Sequence, residues 1–342
     1  MNNKKIISLT GDRPTGPLHI GHLVGSLLKR VEIQNTHNSF VMIADSQAYS
    51  DHIKCREKVS NSILQVLSDY IAVGIDPTKT TIFLQSAIPE IQELYFYLNQ
   101  LTTVSRLERI PTIRKEIFEK FTSPDKYDRD IPRNIPAGFL TYAVSQSADI
   151  LSFKAEIAPV GRDQLPIIEL TNELSLLFNR TTETNTFNRC EGVLGTEDTL
   201  PGIDGKTKMS KTLGNTINLN SSNDEIIKQV KKMYTDPNHL NISDPGEVRG
   251  NMVFTYLDVF YDNKEHLNEL KEHYKRGGLG DMAVKKILIS TLVEYFEPIQ
   301  KRRSEINQQD LIGILKKGTE QARVIAANNV HEAKKALGLI IF

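Results

Sequence analysis

Three apolar runs of strand length, KIISLTG (5–11), SFVMIAD (39–45) and TTIFLQS (80–86), recur at a regular spacing. None alternates cleanly between apolar and polar residues, which is the pattern of strands covered on both faces. The segments between them carry helical spacing: Val24, Leu27, Leu28 and Val31 in the first, Val59, Ile63, Val66, Leu67 and Tyr70 in the second. This β-α-β-α-β order predicts the first half of a doubly wound parallel sheet with right-handed crossovers.

The rhythm breaks from about Ile88 to Asn134. RLERIPTIRKEIFEKFTSPDKYDRDIPRN (106–134) is dense in charge of both signs and predicts helices plus an exposed loop, with TSPDKYD its mobile part. A helix (139–153), a buried strand EIAPVG (156–161) and a second helix (163–179) follow. LPGIDGKTKMSKTLGN (200–215) is rich in glycine and lysine and predicts a loop. Beyond Leu219 the spacing is helical, with Asp224 and Glu225 opening a helix after Ser-Ser-Asn cap candidates. Val284, Ile287, Leu292, Tyr295 and Ile299 mark one face of a long helix, and the tail from Ala322 to the end is also helical. The expected fold is α/β: a Rossmann-like doubly wound parallel sheet domain (1–217) with a helical insertion at about 88–140 and the loop 208–212, followed by an all-α C-terminal domain (218–342).

Charge narrows little. The 342 residues hold 42 Lys+Arg and 42 Asp+Glu, and from Asn218 onward the balance is 18 against 17. Neither part is basic, so charge gives no argument for a large RNA partner. Two cysteines, Cys55 and Cys190, exclude a disulfide framework and point to a reducing cytoplasm. No apolar stretch approaches the ~20 residues that span a membrane. The start, MNNKKIISLTGD, passes into a strand without the pattern of a signal peptide.

The chemistry gathers after the first strand, in RPTGPLHIGHLVG (13–25). His19 and His22 fall where the first turn hands over to a helix starting near Gly21, at the sheet edge where ligands bind. Free N–H groups and the helix dipole there favour an anion. Gly21 and Gly25 let a ligand or a second backbone come close, and a histidine can donate to phosphate oxygens as charge builds up. Zinc binding, simple capping and a dinucleotide site are the other readings. Asp12 is the only nearby carboxylate, and neither G-x-G-x-x-G nor G-x-x-x-x-G-K-[ST] is present.

A second element, KMSKT (208–212), lies between the sheet domain and the helical domain. With HIGH (19–22) it closely resembles the paired signatures of the class I aminoacyl-tRNA synthetases. GDRPTGPLHIGHLVGSL, IAVGIDP (71–77), QSADI (146–150), PVGRDQ (159–164) and KMSKTLGN extend the resemblance to the tryptophanyl-tRNA synthetases, from Ile6 to about Leu339. The runner-up is tyrosyl-tRNA synthetase, which shares the fold. Cofactor-making nucleotidyltransferases with an H-x-G-H turn are a more distant alternative, being shorter and lacking the helical domain.

The resemblance implies that ATP and L-tryptophan form tryptophanyl-adenylate, and that the tryptophanyl group then moves to tRNA(Trp). It implies that Arg13, Pro14 and Thr15 border the nucleotide, and that Gly21 and His22, with His19 beside them, sit against adenine, ribose or phosphate. Gly161, Arg162 and Asp163 are expected at the ribose, although Arg162 departs from the acidic residue many members have. Leu200 is a candidate adenine contact. Lys208 and Lys211 are expected to close on the phosphates with Met209, Ser210 and Thr212, the last replacing a serine. Mg²⁺ comes with ATP, and no protein metal site is expected. Asp149 is expected, ionised, to accept the indole N–H. Tyr142, Gln146 and Gln164 hold the α-amino group, and Gln47 and Leu9 line the ring; some members have methionine in place of Gln146. The family also implies a cytoplasmic homodimer with no membrane contact, its tRNA bridging the two protomers.

Overall fold

The computed structural model describes residues 5–121, 134–195, 200–206, 209 and 213–341. The expected mobile stretch TSPDKYD lies outside them. Five strands, β1 (Ile7–Asp12), β2 (Asn38–Ile43), β3 (Thr80–Leu84), β4 (Ile157–Val160) and β5 (Glu191–Leu194), form one parallel sheet in the order β3-β2-β1-β4-β5. The order reverses between β1 and β4, and such a reversal opens a crevice at the carboxyl ends of the strands. β5 was not foreseen: EGVL is short, contains Glu and Gly, and is only partly buried at the sheet edge.

The first helix, α1 (20–33), is α-helical over Ile20–His22, widens to π-helical turns over Leu23–Leu27 and is α-helical again over Leu28–Ile33. Next come α2 (Asp45–His52) and α3 (Arg56–Val73), then the insertion helices α4 (Pro89–Asn99), α5 (Val104–Glu108), α6 (Pro111–Phe121) and α7 (Ala137–Leu140). Two long sheet-domain helices, α8 (Tyr142–Ser152) and α9 (Leu165–Thr182), flank β4 in sequence.

The chain then runs through α10 (Asn223–Lys232), α11 (Met252–Phe260), α12 (Lys264–Arg276), α13 (Asp281–Ser304) and α14 (Gln308–Ala336). Helix α10 starts on a capping box, with Ser222 accepting from the Glu225 N–H and Glu225 accepting from the Ser222 N–H. The tail stops being helical after Ala336, short of the expected extent.

Both sheet faces are buried, which is why the strands read as unbroken apolar runs. On β2, Val41 and Ile43 face one apolar cluster and Phe40 and Met42 the other. The first cluster continues through α1 and α3 into Leu219, just before α10, and Ile226, Phe254, Leu288 and Phe296 of the C-terminal helices. The second joins the insertion, α8, α9 and the small residues Ala322, Ala326 and Ala333 of α14. Helix α14 thus lies along the edge strand β3. A Cβ on Gly318 would fall 1.9 Å from the Ile82 carbonyl oxygen, so glycine permits the contact. The Thr319 hydroxyl accepts the Leu84 N–H at 3.1 Å, closing an edge donor.

Candidate active site

A cavity of about 570 Å³ opens at the reversal point, between the carboxyl ends of β1 and β4. The histidine turn forms one wall. Its backbone is stapled to the segment after the lysine loop: the Ile20 N–H donates to the Ile217 carbonyl (2.9 Å) and the Leu219 N–H to the Leu18 carbonyl (2.8 Å). The Leu18 N–H donates to the buried carboxylate of Asp69 (2.8 Å), which also pairs with Arg303 of α13. The His22 N–H goes to the His19 carbonyl at 2.8 Å. The helix start therefore has fewer free N–H donors than the sequence suggested.

The His19 N–H donates to His22 Nδ1 at 3.1 Å, and the two rings lie against each other, tilted by 49° with centroids 3.8 Å apart. A ring that accepts at Nδ1 carries its proton on Nε2 when neutral, and this ring lines the cavity. Gly21 leaves room for two side chains: a Cβ there would lie 2.9 Å from Met209 Sδ and 3.0 Å from the His19 ring. Met209 thereby caps the histidine turn.

Beneath this wall lies an ion cluster. Arg30 Nη1 donates to Asp12 Oδ2 (2.6 Å), the Tyr70 hydroxyl donates to the same oxygen (2.8 Å), and Arg30 Nη2 donates to Ser26 Oγ (3.1 Å). Burial pushes the Asp12 carboxyl up. The charge of Arg30, an electrostatic contribution from His22 and the hydrogen bonds from Arg30 and Tyr70 outweigh that push and hold it at about 2. Asp12 thus keeps a negative charge beside the histidines. Sequence reasoning missed Arg30, because one charged residue beside Lys29 and Glu32 on a helix gives no sign of a partner on the preceding strand.

Helix α8 forms the opposite wall. Tyr142, Gln146, Asp149 and Ile150 all line the cavity, as their helical spacing implied. Asp149 is only 2 % exposed. Its Oδ1 accepts from Gln85 Nε2 at 2.8 Å, and its Oδ2 has no partner. Burial pushes this carboxyl up to about 8, against the pull of the Gln85 hydrogen bond. Among the described residues only the Gln85 hydrogen bond opposes the desolvation, so the neutral acid is favoured in the ligand-free site; the ionised form was expected with the indole bound.

Leu9, Arg13, Thr15, Gln47, Gly161, Asp163, Gln164 and Leu200 also line the cavity, together with His19, Gly21, His22 and Met209. Pro14 is buried off the wall, and Arg162 is exposed outside it. Lys208, Ser210, Lys211 and Thr212 lie outside the described residues. Gln85, which sequence reading placed merely at the end of an apolar strand, sits directly behind Asp149. Among the described residues, no group of three or more His, Cys, Asp or Glu side chains could hold a metal ion, and no helix is long and apolar enough to cross a membrane.

A family model for class I tRNA synthetases (W and Y) matches residues 1–297. The tryptophan–tRNA ligase of Clostridium longisporum is 49% identical over 344 residues, covering 99% of this chain and 98% of that protein. The ligase of Streptococcus mutans is 46% identical over 347 residues, covering 99% of each. Among solved structures, tryptophanyl-tRNA synthetase from Campylobacter jejuni, complexed with ADP and tryptophan, superposes with a TM-score of 0.82 at 29% identity, covering 98% of this chain and 100% of that one. The Mycoplasma pneumoniae enzyme shares the fold with a TM-score of 0.81 at 22% identity, covering 98% of each chain. The cavity at the strand reversal, the histidine turn and these likenesses agree: the chain belongs to the tryptophan–tRNA ligase family of class I tRNA synthetases.

Proposed function

We infer that the cavity binds ATP along the histidine turn and L-tryptophan along α8, makes tryptophanyl-adenylate, and passes the tryptophanyl group to the 3′-terminal ribose of tRNA(Trp). The observation that carries this reading is the pairing, in one cavity, of the histidine turn with a buried carboxyl on Asp149 whose Oδ2 is unpartnered. In the first step a tryptophan carboxylate oxygen attacks the α-phosphorus. The new P–O bond forms as the bond to the bridging oxygen breaks, and pyrophosphate leaves with the electron pair. Reactions of this kind are accelerated by positioning and by stabilising developing charge.

His22 donates to phosphate oxygen as that charge develops. Arg13, Thr15, Gly21, Gly161, Asp163 and Leu200 border the nucleotide, and Lys208 and Lys211 act on the phosphates. Tyr142, Gln146 and Gln164 hold the α-amino group, with Leu9 and Gln47 at the ring. Asp149 accepts the indole N–H. Phenylalanine would leave its carboxyl buried without a donor, the kind of mismatch by which synthetases reject related aromatics. Mg²⁺ arriving with ATP would supply neutralisation of phosphate charge.

The working form is a cytoplasmic homodimer built on the sheet domain and its insertion, with tRNA bridging protomers. Exposed Phe96, Val104 and Leu176 on α4, α5 and α9 support that assembly, and an Arg106–Glu173 pair (2.7 Å) draws α5 onto α9. Pyrophosphate exchange tests the reading. Exchange dependent on tryptophan, with Asp149→Ala lowering it far more for tryptophan than for phenylalanine, is expected. Equal losses for both amino acids would assign Asp149 to structure instead.

A further inference from the structure

We propose that Gln85 is a positioning residue for tryptophan recognition: it engages one oxygen of Asp149 and so reserves the other for the indole N–H. The inference rests on the reading of Asp149 as the indole's partner and adds a residue outside the cavity wall.

Gln85 opens the 3₁₀ turn Gln85–Ala87 that follows β3 and is fully buried. A glutamine amide can sit either way round, but here its backbone partner decides. Gln85 Oε1 accepts the Gln47 N–H at 3.0 Å. Flipping the amide would set an NH₂ group against that N–H, two donors face to face. The NH₂ group is thereby committed to Asp149 Oδ1 at 2.8 Å.

Both flanks of Gln85 are pinned. The Leu84 N–H donates to Thr319, and the Ser86 N–H (2.9 Å) and hydroxyl (2.5 Å) donate to the two carboxylate oxygens of Asp45. Asp149 lines the cavity and Gln85 does not, so Oδ2 is the oxygen left facing a ligand. Among the described residues Gln85 is the only partner of Asp149. The other ionisable wall residues are Asp12 on β1, Arg13 and His19 in the turn after it, His22 and Arg30 on α1, His52 on α2, Lys58 on α3, Glu116 on α6, Tyr142 on α8 and Asp163 after β4, and none hydrogen-bonds or ion-pairs with Asp149.

The commitment has an electrostatic side. Because Oδ1 already accepts a hydrogen bond, a proton on Asp149 resides on Oδ2. A protonated Oδ2 would present O–H to the indole N–H, donor against donor. Binding therefore needs the ionised acid, and the Gln85 amide is the one group favouring that form against burial. Gln85 thus sets both which oxygen reads the indole and how readily it ionises.

Two variants test the proposal. Gln85→Met keeps the volume and removes both polar contacts. Gln85→Glu keeps an acceptor for Gln47 and can donate to Asp149 only while protonated. The chain has no tryptophan of its own, so bound tryptophan is the only indole and reports its binding by fluorescence. Binding and exchange are measured from about pH 6 to about pH 9.

Gln85→Met is expected to weaken tryptophan binding by about tenfold or more. The preference over phenylalanine should fall by a similar factor and the pH dependence should move upward, with KM for ATP changed by less than about twofold. Gln85→Glu is expected to bind well at low pH, where the two carboxyls share one proton, and to lose tryptophan as pH rises, opposite to the parent. Equal losses for tryptophan, phenylalanine and ATP with an unchanged pH profile would overturn the proposal. If Gln85→Met does not fold by circular dichroism, the sign of the pH trend in Gln85→Glu decides. Asp149→Asn runs in parallel. If it narrows the preference while the Gln85 variants do not, the inference fails alone; if it does not, the reading of Asp149 fails first.

Discussion

Replacing Asp149 with asparagine should stabilise the ligand-free enzyme while impairing its choice of amino acid. In the unfolded chain this carboxyl titrates near 4; in the fold, burial raises it to about 8. Between those values the native state holds a proton that the unfolded state has released. Stability therefore falls as pH rises through that window, by about 1.4 kcal/mol per unit. From pH 5 to pH 8 the loss amounts to as much as about 4 kcal/mol. Asparagine still accepts from Gln85 but does not titrate, so the variant lacks this slope. Its unmatched NH₂ replaces an unmatched O–H, an offset that does not depend on pH.

Urea unfolding of both proteins at a series of pH values should show curves that diverge steadily as pH rises, the variant being the more stable at pH 8. Parallel curves would refute the reasoning. The same linkage predicts that tryptophan binding near pH 7 releases close to one proton, readable by calorimetry in buffers of different ionisation heat. No release would mean that Asp149 does not ionise on binding.

His22→Ala should lower kcat by about 10²-fold, the scale of a lost charge-stabilising donor, while KM for ATP rises much less. His22→Asn should be milder, since an amide can accept from His19 and donate to phosphate; exchange kinetics that rank the two variants alike would contradict the assigned tautomer. Arg30→Leu leaves the Asp12 charge without its main partner and should cost about 3–5 kcal/mol in a denaturant titration. A change under ~1 kcal/mol would mean that water replaces the guanidinium there. Gly318→Ala drives a methyl into the Ile82 carbonyl and should destabilise by about 1–3 kcal/mol; an unchanged midpoint would show that α14 can lift from β3 freely.

Much of this was legible in the sequence because it is local. Strands buried on both faces leave continuous apolar runs, and a strand-to-helix turn with two histidines marks the carboxyl edge of the sheet. The α8 wall was readable because Tyr142, Gln146, Asp149 and Ile150 share one helical face. What escaped depends on partners far apart in the chain. Gln85 meets Asp149 across 64 residues, and Arg30 meets Asp12 across an element boundary. The Ile20 N–H looks free in a helical reading and is taken by Ile217 in the fold. The protonation of Asp149 escaped for the same reason, since a carboxyl's charge depends on burial and neighbours rather than on its own segment. The tail was read as part of the helical domain, yet part of α14 packs on the edge strand β3 at Gly318 and Thr319, and its end is held to the insertion helix α4 by Lys334–Glu93 at 2.7 Å.

Charging of unfractionated tRNA, measured with each amino acid in turn in the presence of ATP and Mg²⁺, tests the central claim most directly. The account predicts stable aminoacyl-tRNA with tryptophan alone. Charging with tyrosine in its place, or adenylate formation with no transfer to any tRNA, would contradict it.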